Sequence, residues 1–299
     1  MSIVVNNLSK TYEEQVALDS ISFKINKGEI VGFLGPNGAG KSTTMKILAG
    51  FIKPSSGNAI VNEKSILTSA NEVKQSIGYL PENNPLYDEM YVREFLEFIA
   101  KIHKLKNHKS AINDAISKVK LEKESHKKIR QLSKGYQQRV GIAQAIIHDP
   151  SVLILDEPTT GLDPNQLEEI RNLITELGKT KTILLSTHIM QEVESICDRI
   201  IVINNGKLVA DDNITTNKAK SNTQTFIVEF DKKMSLKQLQ KIPEISNVEP
   251  KGNLWIISST IEKDIRVIIS KFASENNLLI LTLQKHSDNL EDIFKKLTN

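Results

Sequence analysis

From Ile3 to about Leu208, short β-branched runs alternate with longer stretches whose apolar residues recur at helical spacing. That pattern predicts a largely parallel sheet with helices on its faces. The runs Glu29–Leu34, Ile77–Leu80, Val152–Leu155 and Thr182–Ser186 are apolar almost throughout, which predicts strands covered on both sides. Near the start, Ile21, Phe23 and Ile25 alternate with polar residues and end at Asn26-Lys27-Gly28. This predicts a smaller antiparallel sheet joined to the main one.

Between Asp211 and Thr223 the chain turns to Asn, Thr, Ser, Lys and Asp, the composition of a linker. We therefore expect a first domain over 1–215, a linker over 216–223 and a second domain over 224–299. The second reads as strand Thr225–Phe230, helix Leu236–Ile242, strands Ser246–Pro250 and Leu254–Ser258, helix Glu262–Glu275 and strand Leu278–Leu283. That order is a split βαβ, ferredoxin-like α+β unit. Leu290, Ile293, Phe294 and Leu297 follow at spacings of three and four, predicting a terminal helix docked on the protein's own body. Trp255 alternates with Leu254 and Ile256 on a strand, where packing on a helix or on a second subunit would each suit it, and we expect a dimer contact.

The 299 residues, 39% hydrophobic and 25% charged, suffice for a large core and exclude overall disorder. With 39 Lys and Arg against 36 Asp and Glu, little charge drives the chain onto a polyanion, and no nucleic-acid partner is expected. The basic residues between Lys118 and Arg130 read as a solvated face. Cys197, the single cysteine, cannot form an internal disulfide and sits in an apolar stretch, as a buried thiol in a reducing cytoplasm would. The opening MSIVVNNLSKTY shows no signal-peptide pattern, and no apolar run approaches the roughly 18 residues of a membrane span. A membrane role would have to come through a partner.

The candidate chemistry begins where Glu29–Leu34 runs into Gly35-Pro36-Asn37-Gly38-Ala39-Gly40-Lys41-Ser42-Thr43 and then the helical segment Thr44–Ala49. Strand, glycine loop and helix in that order form a P-loop. The glycines let backbone N–H groups approach phosphate oxygens, and the helix N-terminus favours their charge. Lys41 is placed to reach the β- and γ-phosphates and Ser42 to ligate Mg²⁺. A chance glycine-rich turn would explain the loop alone, but not the later motifs. Val152–Leu155 ends in Asp156-Glu157-Pro158, two adjacent carboxylates suited to metal binding and general-base work. Asp156 is the metal candidate, directly or through water, and Glu157 the base for an attacking water.

Together with Leu132-Ser133-Lys134-Gly135-Tyr136-Gln137-Gln138, these motifs make the chain resemble the nucleotide-binding subunits of ATP-binding-cassette transporters over roughly residues 1–215. The resemblance implies an α/β P-loop ATPase cassette: a mixed, largely parallel sheet, an antiparallel β-subdomain and a helical signature subdomain. It implies ATP and Mg²⁺ as cofactors, and hydrolysis coupled to transport. Ser133 and Gly135 would cap the γ-phosphate held by the P-loop of another copy, so the cassettes would pair head to tail as a homodimer. Gly161-Leu162-Asp163 would be the D-loop, with Asp163 near the nucleotide, and His188 the switch histidine. Tyr12 would stack on adenine, a reading favoured over that of a half-buried tyrosine at a strand edge.

Where the family usually has glutamine, this chain has Glu82, which would approach the metal and add negative charge beside Asp156 and Glu157. Lys134 and Tyr136 depart from the commonest signature toward a wording similar to that of exporters. Asn83–Phe95 falls where the family docks a coupling helix of an integral membrane permease, and core packing would explain part of its aromatic content. The implied location is cytoplasmic, peripheral on the inner face of the membrane. Tyr79–Phe95 and the C-terminal domain are similar to the branch associated with bacterial gliding motility. A soluble cassette acting on ribosomes or DNA is the rival, but the interval from Ser42 to Leu132 holds no sustained heptads and one P-loop occurs. His103, His108, His126, His148 and His286 read as structural or surface residues. The second domain suits regulation or dimerisation and carries no ligand motif.

Overall fold

The computed structural model describes residues 1–214, 224–232, 234–240, 242–260 and 264–286. These fall into two compact units, one over residues 1–214 and one whose described part runs from Gln224 to His286. The expected linker, 216–223, and the expected terminal helix carrying Leu290, Ile293, Phe294 and Leu297 lie outside the described residues.

In the first unit, strands β1 (Ile3–Tyr12), β2 (Gln15–Ile25), β4 (Ser56–Val61) and β5 (Lys64–Ser65) form an antiparallel sheet in the order β2-β1-β4-β5. Ile21, Phe23 and Ile25 are buried while Ser22 and Lys24 between them are exposed. Alternation there reflects a sheet with one solvated face. The larger sheet contains β3 (Ile30–Leu34), β6 (Ile77–Leu80), β7 (Val152–Asp156), β8 (Thr182–Thr187), β9 (Arg199–Asn204) and β10 (Lys207–Asn213). Its order is β10-β9-β3-β8-β7-β6, parallel throughout except for the antiparallel pair β9–β10. Every residue of β3, β7 and β8 is buried, as continuous apolar runs require. Phe23 and Phe33, with ring centroids 5.7 Å apart, join the two sheets through one core.

The helices of this unit are α1 (Lys41–Leu48), α2 (Ala70–Ser76), α3 (Val92–Ile102), α4 (His108–Lys118), α5 (Lys134–Ile146), α6 (Pro164–Gly178) and α7 (Met190–Ile196). Helices α3, α4 and α5 pack on one another as a helical subdomain. Cys197 is buried against Gly32, and burial pushes its thiol pKa up, so it stays protonated and unreactive. In the basic stretch after α4, Lys127 pairs with Glu124 at 2.7 Å, and Lys128 and Arg130 pair with Glu89 at 3.1 and 3.2 Å. These are surface pairs, which solvent screens, and they bear out a solvated face.

The second unit contains β11 (Gln224–Phe230), α8 (Leu236–Leu239), β12 (Asn247–Lys251), β13 (Leu254–Ser259), α9 (Arg266–Glu275) and β14 (Ile280–His286). Its described strands run antiparallel in the order β12-β13-β11-β14. Phe226, Val228, Ile257, Leu239 and Ile269 form its core. The helix read to Ile242 stops at Leu239, although Ile242 is still buried. At Trp255, where a dimer contact is expected, the structure shows packing within the unit that leaves the indole partly exposed. Register pairs Trp255 with Val228, and the half-buried indole packs against the unit's own core.

His103 follows α3, and His148 precedes β7; their rings stack with centroids 3.9 Å apart and planes 8° from parallel. His148 Nε2 also donates to the Ile77 carbonyl at 2.9 Å. Burial, reinforced by His103, lowers the His148 pKa from 6.5 to about 4. A histidine depressed in the folded state leaves the unfolded chain to take up the proton first, so its contribution to stability is lost as pH falls from about 6.5 towards 4. Chemical denaturation across that range should show a shallower acid loss for His148→Gln than for the parent chain, and identical slopes would contradict this.

Candidate active site

The loop from Gly35 to Gly40 turns the end of β3 into α1. Gly40 has φ 111°, and a Cβ there would stand 2.7 Å from the Ala17 carbonyl oxygen, so neither backbone nor space admits another residue. Lys41 begins the helix nearly buried, its Nζ donating to the carbonyls of Gly35 at 2.7 Å and Pro36 at 3.1 Å. Burial lowers its pKa, while Glu157 first, then Asp156 and Glu82, favour the charged form. Ala39 is buried behind the loop, its N–H bonded to the Pro36 carbonyl at 3.2 Å.

One cavity is lined by Tyr12, Asn37, Gly38, Gly40, Lys41, Ser42, Thr43, Glu82 and Glu157. Parallel strands place their C-terminal ends side by side, which brings a loop after β3 and carboxylates after β7 together. Asp156 is 1% exposed and accepts at Oδ1 from Ser186 at 2.6 Å and Ser42 at 3.2 Å. Glu157 donates its backbone N–H to Ser186 Oγ at 2.9 Å. Its carboxylate accepts from Thr160 Oγ1 at 3.0 Å and from His188 Nδ1 at 3.0 and 3.1 Å, and lies 3.9 Å from Lys41 Nζ. The backbone of Glu157 has φ 50°, the left-handed region in which a non-glycine residue is strained.

Ser42 and Asp156 offer oxygen ligands side by side, while among the described residues no group of three or more His, Cys, Asp or Glu forms a closed metal cage. This suits Mg²⁺, which keeps waters and shares substrate phosphates instead of requiring an all-protein shell. Tyr79 lies near the same charges: burial, then Asp156 and Glu82, raise its pKa, so the phenol keeps its proton.

Not every expected residue lines this cavity. Ser133 caps α5, accepting from the Tyr136 N–H at 3.4 Å, and Asp163 caps α6, accepting from the Gln166 N–H at 2.9 Å; both are exposed. Gly135 is buried against α6, where a Cβ would come within 2.6 Å of the Gln166 side chain. Tyr12 is 44% exposed, with the Lys10 ammonium 5.0 Å from its ring centroid. Sequence reasoning missed Ser186, Thr160 and Gln138, whose side chain donates to the Pro158 carbonyl at 2.8 Å and ties α5 to the acidic turn. A hydroxyl ending the apolar run of β8 was the available signal for Ser186.

A glycine loop opening a helix after one parallel strand, with a buried acidic pair at the end of a nearby strand, defines the P-loop ATPase class. The ABC transporter family profile matches residues 18–160. The bacitracin transport ATP-binding protein BcrA of Bacillus licheniformis is 34% identical over 302 residues, covering 99% of this chain and 96% of that protein. The linearmycin resistance ATP-binding protein LnrL of Bacillus subtilis is 31% identical over 307 residues, covering 98% and 96%. A dimeric ATP-binding cassette solved in a post-hydrolysis state with ADP and Pi superposes with TM-score 0.65 at 27% identity, over 71% of this chain and 98% of that one. The chain belongs to the ABC transporter ATP-binding proteins, and it is an ATPase.

The hydroxyl of Ser186 both receives the Glu157 N–H and donates to Asp156. Ser186→Ala should therefore destabilise the fold by about 1–3 kcal/mol and lower ATP turnover, measured by denaturation and phosphate release; unchanged values for both would contradict this bridging role.

Proposed function

We propose that this chain energises a membrane exporter as a head-to-tail homodimer bound to an integral membrane permease. The observation that carries the reading is the cluster at the mouth of the P-loop, where Lys41 Nζ stands 3.9 Å from Glu157, Ser42 donates to Asp156 and Ser186 bonds both acidic residues. Lys41 exchanges its loop carbonyls for the β- and γ-phosphates of ATP. Glu157 orients the attacking water and accepts its proton, while His188 holds the Glu157 carboxylate and senses the γ-phosphate. Ser42 and Asp156 would hold Mg²⁺, with Glu82 facing it through water, and the ion supplies charge neutralisation to the phosphates. Tyr12 would stack on the adenine.

Dimerisation is supported by Ser133 and Asp163, which begin two helices and stand exposed outside the chain's own nucleotide cavity. A helix N-terminus favours an anion, and the nucleotide of a second copy provides one. Tyr87, Phe98 and Ile102 expose an apolar patch along and before α3, which suits a permease helix. Among the described residues no helix is long and apolar enough to cross a membrane, consistent with a peripheral subunit on the cytoplasmic face. The names of BcrA and LnrL, bacitracin transport and linearmycin resistance, favour a transport role over the rival soluble one. An association with gliding rests on the likeness of Tyr79–Phe95 and the C-terminal domain alone, so export is the reading we favour. The second unit, from 224 onward, would be a ferredoxin-like module joined through the 216–223 linker.

Lys41→Ala should weaken ATP binding roughly tenfold or more, as measured by titration with a fluorescent nucleotide. Glu157→Gln should retain binding, lose roughly 10²–10⁴-fold in turnover and accumulate as ATP-bound dimers on a sizing column. Normal turnover in either variant would refute the role of that residue. Tagged Glu157→Gln, solubilised gently with ATP and Mg²⁺, should carry a multi-span membrane protein in stoichiometric amount; ribosomal or DNA-repair partners in its place would reverse the transport reading.

A further inference from the structure

Glu192, in the first turn of α7, is 1% exposed, and a carboxylate at that depth requires partners. Its Oε2 accepts from Thr187 Oγ1 at 2.6 Å. The same hydroxyl accepts from the backbone N–H of Ile189 at 3.0 Å. Thr187 and Ile189 flank His188, so these two bonds fasten the histidine on both sides to the start of α7. His188 then donates to Glu157. The first link in this series is a group that touches neither the nucleotide cavity nor the acidic pair.

The second oxygen of Glu192 is also informative. Oε1 is buried without a hydrogen-bond partner, and so is Nε of Arg171. Arg171 belongs to α6, and its Nη2 stands 4.0 Å from Glu192 Oε1. Two opposite charges held that close attract each other directly, and that attraction joins α6 to α7. Helix α6 is the one that Asp163 caps.

We propose that Glu192 is a positioning residue for His188, holding it through Thr187, and that Arg171 ties the same carboxylate to α6. The catalytic part of this inference rests on the reading of His188 given above. The geometry assigns Glu192 no contact with substrate; its effect on turnover passes through the orientation of the imidazole. A displaced imidazole leaves nucleotide binding intact and loses the transition-state contact, so kcat falls and KM stays.

The test uses the full chain. Glu192→Leu removes both carboxylate oxygens, whereas Glu192→Gln keeps an oxygen to accept from Thr187. Glu192→Leu should lower kcat roughly ten- to hundredfold, with KM within about twofold, and Glu192→Gln should recover most of the loss. In a His188→Ala background, Glu192→Leu should cost nothing further, because both act through one group. Arg171→Met should give a smaller loss of the same kind. Histidine-labelled protein should show the His188 imidazole signals shifted in Glu192→Leu and close to the parent in Glu192→Gln.

A full multiplicative loss on top of His188→Ala, a change in KM with kcat preserved, or unmoved His188 signals in folded Glu192→Leu would overturn the proposal. If His188→Ala alone keeps full turnover while the signals still move, the switch role fails and the positioning by Glu192 stands. Should Glu192→Leu not fold, Thr187→Val breaks the same link and is read by the same spectra.

Discussion

The structure depends on burying charges almost completely and giving each one a partner. Asp156, Glu157, Lys41 and Glu192 are all less than 9% exposed, and each ion removed from water costs several kcal/mol before compensation. The compensation is local and dense. One serine hydroxyl serves both members of the acidic pair, two loop carbonyls serve the lysine, and one threonine hydroxyl serves Glu192. The parallel sheet makes this possible by ending β3, β7 and β8 at one level, so that three segments distant in sequence supply the partners.

Much of this was legible in the sequence because the groups that carry it lie in short contiguous motifs. The run from Gly35 to Thr43 and the pair Asp156-Glu157 announce themselves by residue type and by the strand preceding each. The continuous apolar character of β3, β7 and β8 gave their burial, and the alternation at Ile21, Phe23 and Ile25 gave a sheet with one wet face. These are local signals, and local signals survive without knowledge of the fold.

What was illegible is long-range and made of common residues. Ser186 is bonded to residues about thirty positions away, and a serine at a strand end carries no mark of that. Thr187 and Glu192 look like an ordinary threonine and an ordinary helix-opening glutamate until the turn between β8 and α7 brings them to 2.6 Å. The pairing of Trp255 with Val228 was equally illegible, because alternation along a strand does not say which neighbour lies beside it. Helix ends at Leu239 and Arg266 were also misplaced, since propensity changes little across the boundary.

The left-handed backbone at Glu157 has a consequence for how such a chain evolves. Holding a glutamate at φ 50° costs on the order of 1–3 kcal/mol, which glycine or asparagine would relieve at once. A population screened only for thermal resistance would drift toward those residues and lose the carboxylate, whereas one screened for work retains the strain. If Glu157 acts as proposed, residue 157 is a position at which robustness and turnover pull in opposite directions, and the strain held there is the cost of keeping the carboxylate.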